Sequence, residues 1–385
     1  MMNIGFLTSE YPHSRTGSSG GIGTSIKNLG IALSKLDQKV TVYVYGQAND
    51  DEFQDEGLSI VQIRNKKLKG LSWYLTRQKI QDIINKHISE RGLQLVEAPD
   101  WTGITAFMKL KCPAVIKLHG SDTYFCHLDH RPVKKWNYFL EKLALKNASA
   151  HISVSSFTAR LTNEIFGLNL RFEIIPNGIH INENYQINHN KSKLGCNHLI
   201  LYVGTLIRKK GALELPLIFN EVNKINKDVE LVLVGNDSAD TKTGSPSTWG
   251  MMEPLFTPRA LMKVRYCGRK PHDEIGEFYN SASVCVFPSF AEAFPVSWIE
   301  AMSRGKAIVA SDIGWAREVI EDGISGILCN PVDHKLYSKY ILEILNSKEL
   351  QSELGEKAKE RIMQNFTAEI TASKTLNCYK RVIND

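Results

Sequence analysis

Two carboxylates, Glu292 and Glu300, bracket a proline in Pro288-Ser289-Phe290-Ala291-Glu292-Ala293-Phe294-Pro295-Val296-Ser297-Trp298-Ile299-Glu300-Ala301-Met302. A carboxylate only accepts hydrogen bonds, so a pair of them suits a ligand that presents hydroxyls, such as a sugar or a ribose. The apolar run 283–287 before this stretch reads as a buried strand, and the run after it as a helix starting near Pro295 or Val296. One carboxylate then lies on the loop leaving a strand, the other in the first turns of the next helix. In an open α/β sheet, ligands bind outside the carboxyl ends of the strands. The helix start, flanked by Phe294 and Val296, offers N–H groups to an anion. Hydroxyls beside a phosphate describe a nucleotide sugar. The spacing Ser297-x-x-Glu300 also fits a capping box, in which Glu300 only ties off a helix, and Glu292 also fits a solvated loop acid.

Three further stretches place suitable groups at strand ends. In Gly20-Gly21-Ile22-Gly23-Thr24, glycines before a helix let the backbone approach a phosphate or sugar closely. They come about a dozen residues after the first strand, too late for a dinucleotide fingerprint. In Val203-Gly204-Thr205-Leu206-Ile207-Arg208-Lys209-Lys210-Gly211, three consecutive cations follow a strand and can neutralise a diphosphate. His119 closes the strand in Ile116-Lys117-Leu118-His119, where an imidazole can donate to a sugar hydroxyl. A surface charge run and a structural histidine are the plain alternatives for the last two. His127-x-x-His130 lacks a third ligand and reads as coincidence. No two aspartates stand two positions apart, so a D-x-D metal clamp is absent, and no metal is expected; nor is there a G-x-S-x-G nucleophile elbow.

The elements that must position these groups alternate. Strand patterns fall at 4–7, 40–45, 59–63, 94–97, 114–118, 150–154 and 172–175, with helical patterns such as 25–36 and 134–145 between them. A second series follows at 198–203, 229–234, 264–266, 283–287, 307–310 and 326–329. Such alternation predicts parallel sheets covered on both faces. The fold class is therefore α/β, with two Rossmann-like domains, and 385 residues exceed what one core usually holds. The N-terminal domain is expected over 1–180, a polar linker over 181–195 within an Asn-rich stretch that begins at Asn177, and the C-terminal domain over 196–365. The segment from Asn236 to about Pro258 reads as one long irregular loop bordering the ligand.

Composition excludes some classes and leaves others. A hydrophobic content of 43% and a charged content of 23% are those of a soluble globular chain, and no apolar run is long enough to span a bilayer. Seven scattered cysteines without a C-x-x-C pair argue against zinc and a disulfide framework. With no signal-peptide pattern at the N-terminus, a cytoplasmic location is expected. Basic residues from Arg64 to Lys79 interleave with Leu71, Trp73, Tyr74 and Leu75, which fits either a peripheral membrane surface or a solvated helix face with core aromatics. No nucleic-acid motif accompanies them.

Taken in order, these residues resemble glycosyltransferase family 4, the retaining enzymes with two facing Rossmann-like domains around an interdomain cleft (the GT-B fold). The match is densest over 264–330: Cys267-Gly268, the Glu292–Glu300 pair, Glu300-Ala301-Met302-Ser303-Arg304-Gly305, Glu318 and Asp322-Gly323-Ile324-Ser325-Gly326. The resemblance implies that Glu292 holds hydroxyls of the transferred sugar, Glu300 grips the nucleotide ribose and Lys210 meets the diphosphate. It also implies that His119 stands near the donor sugar, with Gly21 and Gly23 near the phosphates. Phe294, Val296, Thr205 and Arg208 complete the donor-binding set. The C-terminal helix, 366–383, is expected to join the N-terminal domain. Thr205 stands where the family often has arginine, with Arg208 as another source of that charge, and Pro295 replaces a usual glycine. Trp315 and Arg317 also depart from the pattern.

The implied activity is hexosyl transfer from a nucleotide-diphosphate sugar to a glycan or lipid-linked acceptor in surface polysaccharide synthesis. Uridine is the first expectation for the donor's base and guanosine the second, and no cofactor is expected. The alternatives are a sugar-nucleotide epimerase or hydrolase of the same architecture, and a polysaccharide-associated binding protein without catalysis.

Overall fold

The computed structural model describes residues 1–17, 19–181 and 198–384, so the expected linker lies outside the described residues from Asn182 onward. The chain divides into two compact units, one of Met1–His180 with Phe366–Asp385, the other of Ile181–Asn365.

Unit 1 runs β1 (Asn3–Thr8), α1 (Gly21–Lys35), β2 (Lys39–Gln47), β3 (Asp51–Asp55), β4 (Leu58–Arg64), α2 (Ser72–Arg91), β5 (Leu95–Pro99), β6 (Ala114–Leu118), α3 (Asp122–Leu128), α4 (Lys135–Asn147), β7 (Ala150–Ser153), α5 (Ser156–Phe166) and β8 (Glu173–Ile174). Its sheet has the order β3-β4-β2-β1-β5-β6-β7-β8, parallel except for the β3–β4 hairpin. β3 has no counterpart in the sequence reading. Asp51-Glu52-Phe53-Gln54-Asp55 is a mostly exposed edge strand, so it lacks the apolar run that marks its buried neighbours. Its turn is tight: Glu56 and Gly57 both have positive φ (48° and 83°), as a two-residue hairpin loop requires.

Unit 2 runs β9 (Leu199–Val203), α6 (Glu214–Ile225), β10 (Glu230–Val234), α7 (Thr248–Met252), α8 (Pro258–Leu261), β11 (Val264–Tyr266), α9 (His272–Ser281), β12 (Val284–Phe287), α10 (Val296–Ser303), β13 (Ile308–Ser311), α11 (Ala316–Val319), β14 (Ile327–Cys329), α12 (His334–Asn346) and α13 (Lys348–Asn365). Among the described residues its six strands are all parallel, in the order β11-β10-β9-β12-β13-β14. The segment expected to be one irregular loop folds instead. Ser247 and Thr257 cap α7 and α8. Thr248 bonds the Ser238 carbonyl through N–H and hydroxyl, and Trp249 stacks on Tyr266 at 5.1 Å. These helices, of five and four residues, are too short to show periodicity.

The last helix, α14 (Ala368–Asn384), packs on α1 and buries Ala372, Leu376 and Tyr379 in a core shared with β1 and β2. Tyr379 donates from Oη to Glu97 at 2.6 Å, a buried bond. Pro176-Asn177-Gly178 takes part in this docking. Thr371 donates to the Pro176 carbonyl, Ser25 donates to Asn177, and a Cβ on Gly178 would lie 2.6 Å from the Thr367 carbonyl oxygen. The Asn-rich stretch thus begins inside unit 1. Among the described residues, no helix is long and apolar enough to cross a membrane.

Candidate functional site

In unit 2 the strand order reverses between β9 and β12, the position where doubly wound sheets open a crevice. The connections leaving these two strands carry the candidate residues. They are joined by backbone: the Lys209 carbonyl accepts from Phe290 N at 2.8 Å and Ala291 N at 3.1 Å. Gly211 has φ +69°, and a Cβ there would lie 1.8 Å from the Pro288 carbonyl oxygen, so only glycine lets the loops meet. This contact places Lys210 Nζ 3.0 Å from Glu292 Oε1. Glu292 is buried, while the lysine side chain keeps 26% exposure.

The neighbouring groups are held with them. Tyr202 Oη donates to the Thr205 carbonyl at 3.1 Å. Burial first, and the Glu292 charge second, raise the Tyr202 phenol well above its usual range, so it stays a donor. Arg208 is taken by the buried Asp240 in a two-pronged bond of 3.0 and 2.9 Å. Hydrogen bonds from Arg208 hold the Asp240 carboxyl far below the usual carboxylate range, and Thr243 adds two more. Most of the Arg208 fork therefore fixes the 236–258 segment. Phe294 is buried and Val296 half-buried at the start of α10. The N-cap is Pro295, with no side-chain cap, so Ser297 and Glu300 do not form a capping box. Glu300 lies instead 3.2 Å from Tyr279 Oη, half-buried on the second turn. The two departures near Glu318 are structural. Trp315 is buried against Trp298 at 4.7 Å, and Arg317 is forked onto Asp312.

In unit 1 the order reverses between β1 and β5. Gly21 opens α1, and the Glu10 carboxylate accepts from Gly20 N at 3.0 Å and Gly23 N at 2.9 Å. An acid of the chain itself thus occupies two N–H groups at this helix start. Gly23 is pressed against Glu10 and Ser19, where a Cβ would lie 2.2 Å from Ser19 Oγ, whereas nothing lies within 4 Å of a Cβ on Gly21. His119, after β6, donates its backbone N–H to Asp100 Oδ1 at 2.8 Å. Burial, with Lys117 nearby, pushes the His119 imidazole down to about 3, so it is neutral near pH 7. Burial pushes the Asp100 carboxyl up to about 7. Glu141 accepts from Asp122 N and Thr123 N, which fixes the start of α3 just beyond His119.

Sequence reasoning missed Glu10, Asp100, Glu141, Tyr202 and Asp240. Asp100 and Glu10 were open to it, as acids three residues beyond the strand patterns at 94–97 and 4–7; the other three carry no local signal. Among the described residues, no three His, Cys, Asp or Glu side chains are grouped to hold a metal.

The family described as "Glycosyltransferase Family 4" matches residues 19–183, and "Glycosyl transferases group 1" matches residues 185–361. An uncharacterized glycosyltransferase of Methanocaldococcus jannaschii is 27% identical over 353 residues, 89% of each chain. Sucrose-phosphate synthase from Thermosynechococcus elongatus is similar in fold, with a TM-score of 0.78 over 100% of both chains at 20% identity. HepE of Anabaena, solved with UDP and with UDP and glucose, gives 0.75 over 99% of this chain and 100% of its own, at 19% identity. With both halves matched in order and both sheets doubly wound, the chain belongs to the family-4 glycosyltransferases of GT-B fold.

Proposed function

We propose that this chain is a retaining hexosyltransferase that moves a sugar from a nucleotide-diphosphate sugar to a glycan or lipid-linked acceptor, acting without a metal on the cytoplasmic side in surface polysaccharide synthesis. The observation that carries the reading is the Lys210–Glu292 pair at the switch point of unit 2. A lysine at a strand end is placed to neutralise a departing diphosphate. Its carboxylate partner is an acceptor matched to sugar hydroxyls. In this reading Glu300 takes ribose hydroxyls, and the first N–H groups of α10, flanked by Phe294 and Val296, face phosphate oxygens. The loop carrying Thr205 and Arg208 borders the diphosphate. His119 and the loop of Gly21 and Gly23 keep the roles near the donor sugar and phosphates that the resemblance implies. A neutral imidazole can donate to a hydroxyl without adding charge.

The bond from the anomeric carbon to the phosphate oxygen breaks, and a bond from that carbon to the acceptor oxygen forms on the same face. The acceptor's proton passes to the leaving diphosphate, and no enzyme nucleophile is assigned. UDP in the similar HepE structure supports uridine as the first base to test, ahead of guanosine.

The test is a thermal-shift screen of UDP, GDP and their sugars, followed by NMR of the product formed with glycan and polyprenyl-linked acceptors. A raised melting temperature with one nucleotide, and a product that keeps the donor's anomeric configuration, are expected. Inversion of that configuration, or an isomerised sugar nucleotide formed from donor alone, overturns the reading.

A further inference from the structure

Three connections that leave the carboxyl ends of β4, β5 and β6 bring apolar rings together on the surface of unit 1. Trp73, near the start of α2, is the hub. Its ring centroid lies 5.2 Å from Trp136 on α4, 5.8 Å from Phe107 and 5.7 Å from Tyr74. Phe139 closes the circuit at 5.5 Å from Trp136 and 6.1 Å from Phe107. Apart from Trp73 these rings face water: Trp136 is 47% exposed, Phe139 46%, Phe107 39% and Tyr74 39%, with Leu71 beside them at 50%. Isolated exposed apolar side chains need no explanation, but a contiguous group of them marks an interaction surface.

The patch is built, not frayed. Arg77 is buried, lies over the Trp73 ring and donates to the Thr102 and Gly103 carbonyls, which fastens α2 to the turn after β5. Gly103 is pressed against the Leu140 backbone, where a Cβ would lie 2.4 Å away, which fastens the same turn to α4. Phe107 itself has φ +65°, and Thr102 has φ +50°. A bulky residue keeps such a conformation only where its surroundings over-determine it, and such residues collect at functional sites.

The segments that carry the rings are strongly basic, although Lys79 is paired with Asp50 and Arg131 with Asp129. Residues 64–79, 105–111 and 131–146 contain thirteen lysines and arginines and one carboxylate, Glu141, which is buried against the start of α3. Lys66, Lys67 and Lys69 precede α2, and Lys134 and Lys135 directly precede Trp136; all five are exposed. A second copy of the chain would bring like charges together at this face. Aromatic rings at headgroup depth inside a rim of cations match a bilayer with anionic lipids. We infer that this three-element aromatic and basic face docks unit 1 on an anionic membrane surface. The docking goes beyond the transfer reaction and does not depend on it.

The experiment is co-sedimentation of the full chain with phosphatidylcholine vesicles, with and without one-third phosphatidylglycerol. At least tenfold tighter binding to the anionic vesicles is expected, weakened by salt. W136S/F139S and K66E/K67E/K69E are each expected to weaken it at least tenfold. Both sets lie on the surface, and an unchanged melting temperature and UDP thermal shift would show the fold intact. Equal binding to both vesicle types, no binding to either, or wild-type binding by both variants overturns the proposal. So does a dimer or a bound oligonucleotide that the same substitutions abolish, without vesicle binding. If UDP produces no thermal shift while anionic vesicles still bind, the donor assignment fails and the docking face stands.

Discussion

Lys210 Nζ and Glu292 Oε1 lie 3.0 Å apart although 82 positions separate them, because the connections after β9 and β12 share the Lys209 carbonyl. The pair explains why a lysine and a buried acid coexist beyond the ends of these two strands. Each offsets the cost of desolvating the other until a ligand supplies new partners. Lys210→Met and Glu292→Gln should therefore lower kcat by about 10²–10³-fold, the scale seen when one preorganised electrostatic group is removed. Circular dichroism should show both variants folded. Turnover within a few-fold of wild type in both would refute their assigned roles.

The glycine loop separates space from capping. Gly21→Ala puts a methyl where nothing lies within 4 Å, so its melting temperature should match or exceed wild type. If Gly21 lies against phosphate, its kcat/KM must nevertheless fall. Glu10→Ala frees two N–H groups at the start of α1 and should cost about 1–2 kcal/mol in urea unfolding. An unchanged midpoint for Glu10→Ala would show that water replaces the carboxylate at no cost.

Gly211→Ala is expected to be the most damaging small substitution near the site. It adds a Cβ 1.8 Å from a backbone oxygen at a φ of +69°. Relief requires parting the two loops, at about 3 kcal/mol or more. Denaturant unfolding measures this, and a loss below about 1 kcal/mol would mean that the loops are not held together as described.

Asp100 and His119 make stability depend on pH in opposite senses. The Asp100 carboxyl is raised from 3.8 to about 7, so its contribution is full below pH 3.8 and is lost as pH rises through 7. The His119 imidazole is lowered from 6.5 to about 3, so its contribution is full above pH 6.5 and is lost as pH falls toward 3. Melting curves of Asp100→Asn should gain on wild type as pH rises from 4 to 7, and those of His119→Asn as pH falls from 6.5 to 4. Parallel curves for wild type and variant would contradict the assigned shifts.

Tyr379→Phe removes the buried bond from α14 to Glu97 and leaves a carboxylate whose other named neighbour is Lys117. Losing one partner of a buried charged group should cost about 1–3 kcal/mol and loosen α14 first. Hydrogen exchange along residues 368–384 reads this directly. Uniform protection across wild type and variant would place the helix's stability in its apolar face alone.

Much of the architecture was legible in the chain because it is written locally. Buried parallel strands are continuous apolar runs, so twelve of the fourteen strands among the described residues overlap an expected one by three residues or more, and α14 occupies the expected C-terminal position. What escaped was exposed or short: β3 on a polar edge, and the helices of the 236–258 segment. Glu292, Lys210 and His119 could be put forward as candidates because strand ends are where such folds bind ligands, and strand ends can be read from hydropathy; Glu300 followed from the helical run after Pro295. Their partners could not. Glu10 on Gly23, Asp240 on Arg208, Asp100 under His119 and the aromatic ring around Trp73 each join segments distant in sequence. Such pairings arise from strand order and loop contact, which no run of neighbouring residues encodes. The residue types and their spacing determined where chemistry could reside. Only the folded chain decided which charges are free, which are paired and which are neutral, because pairing and desolvation are properties of three-dimensional neighbours.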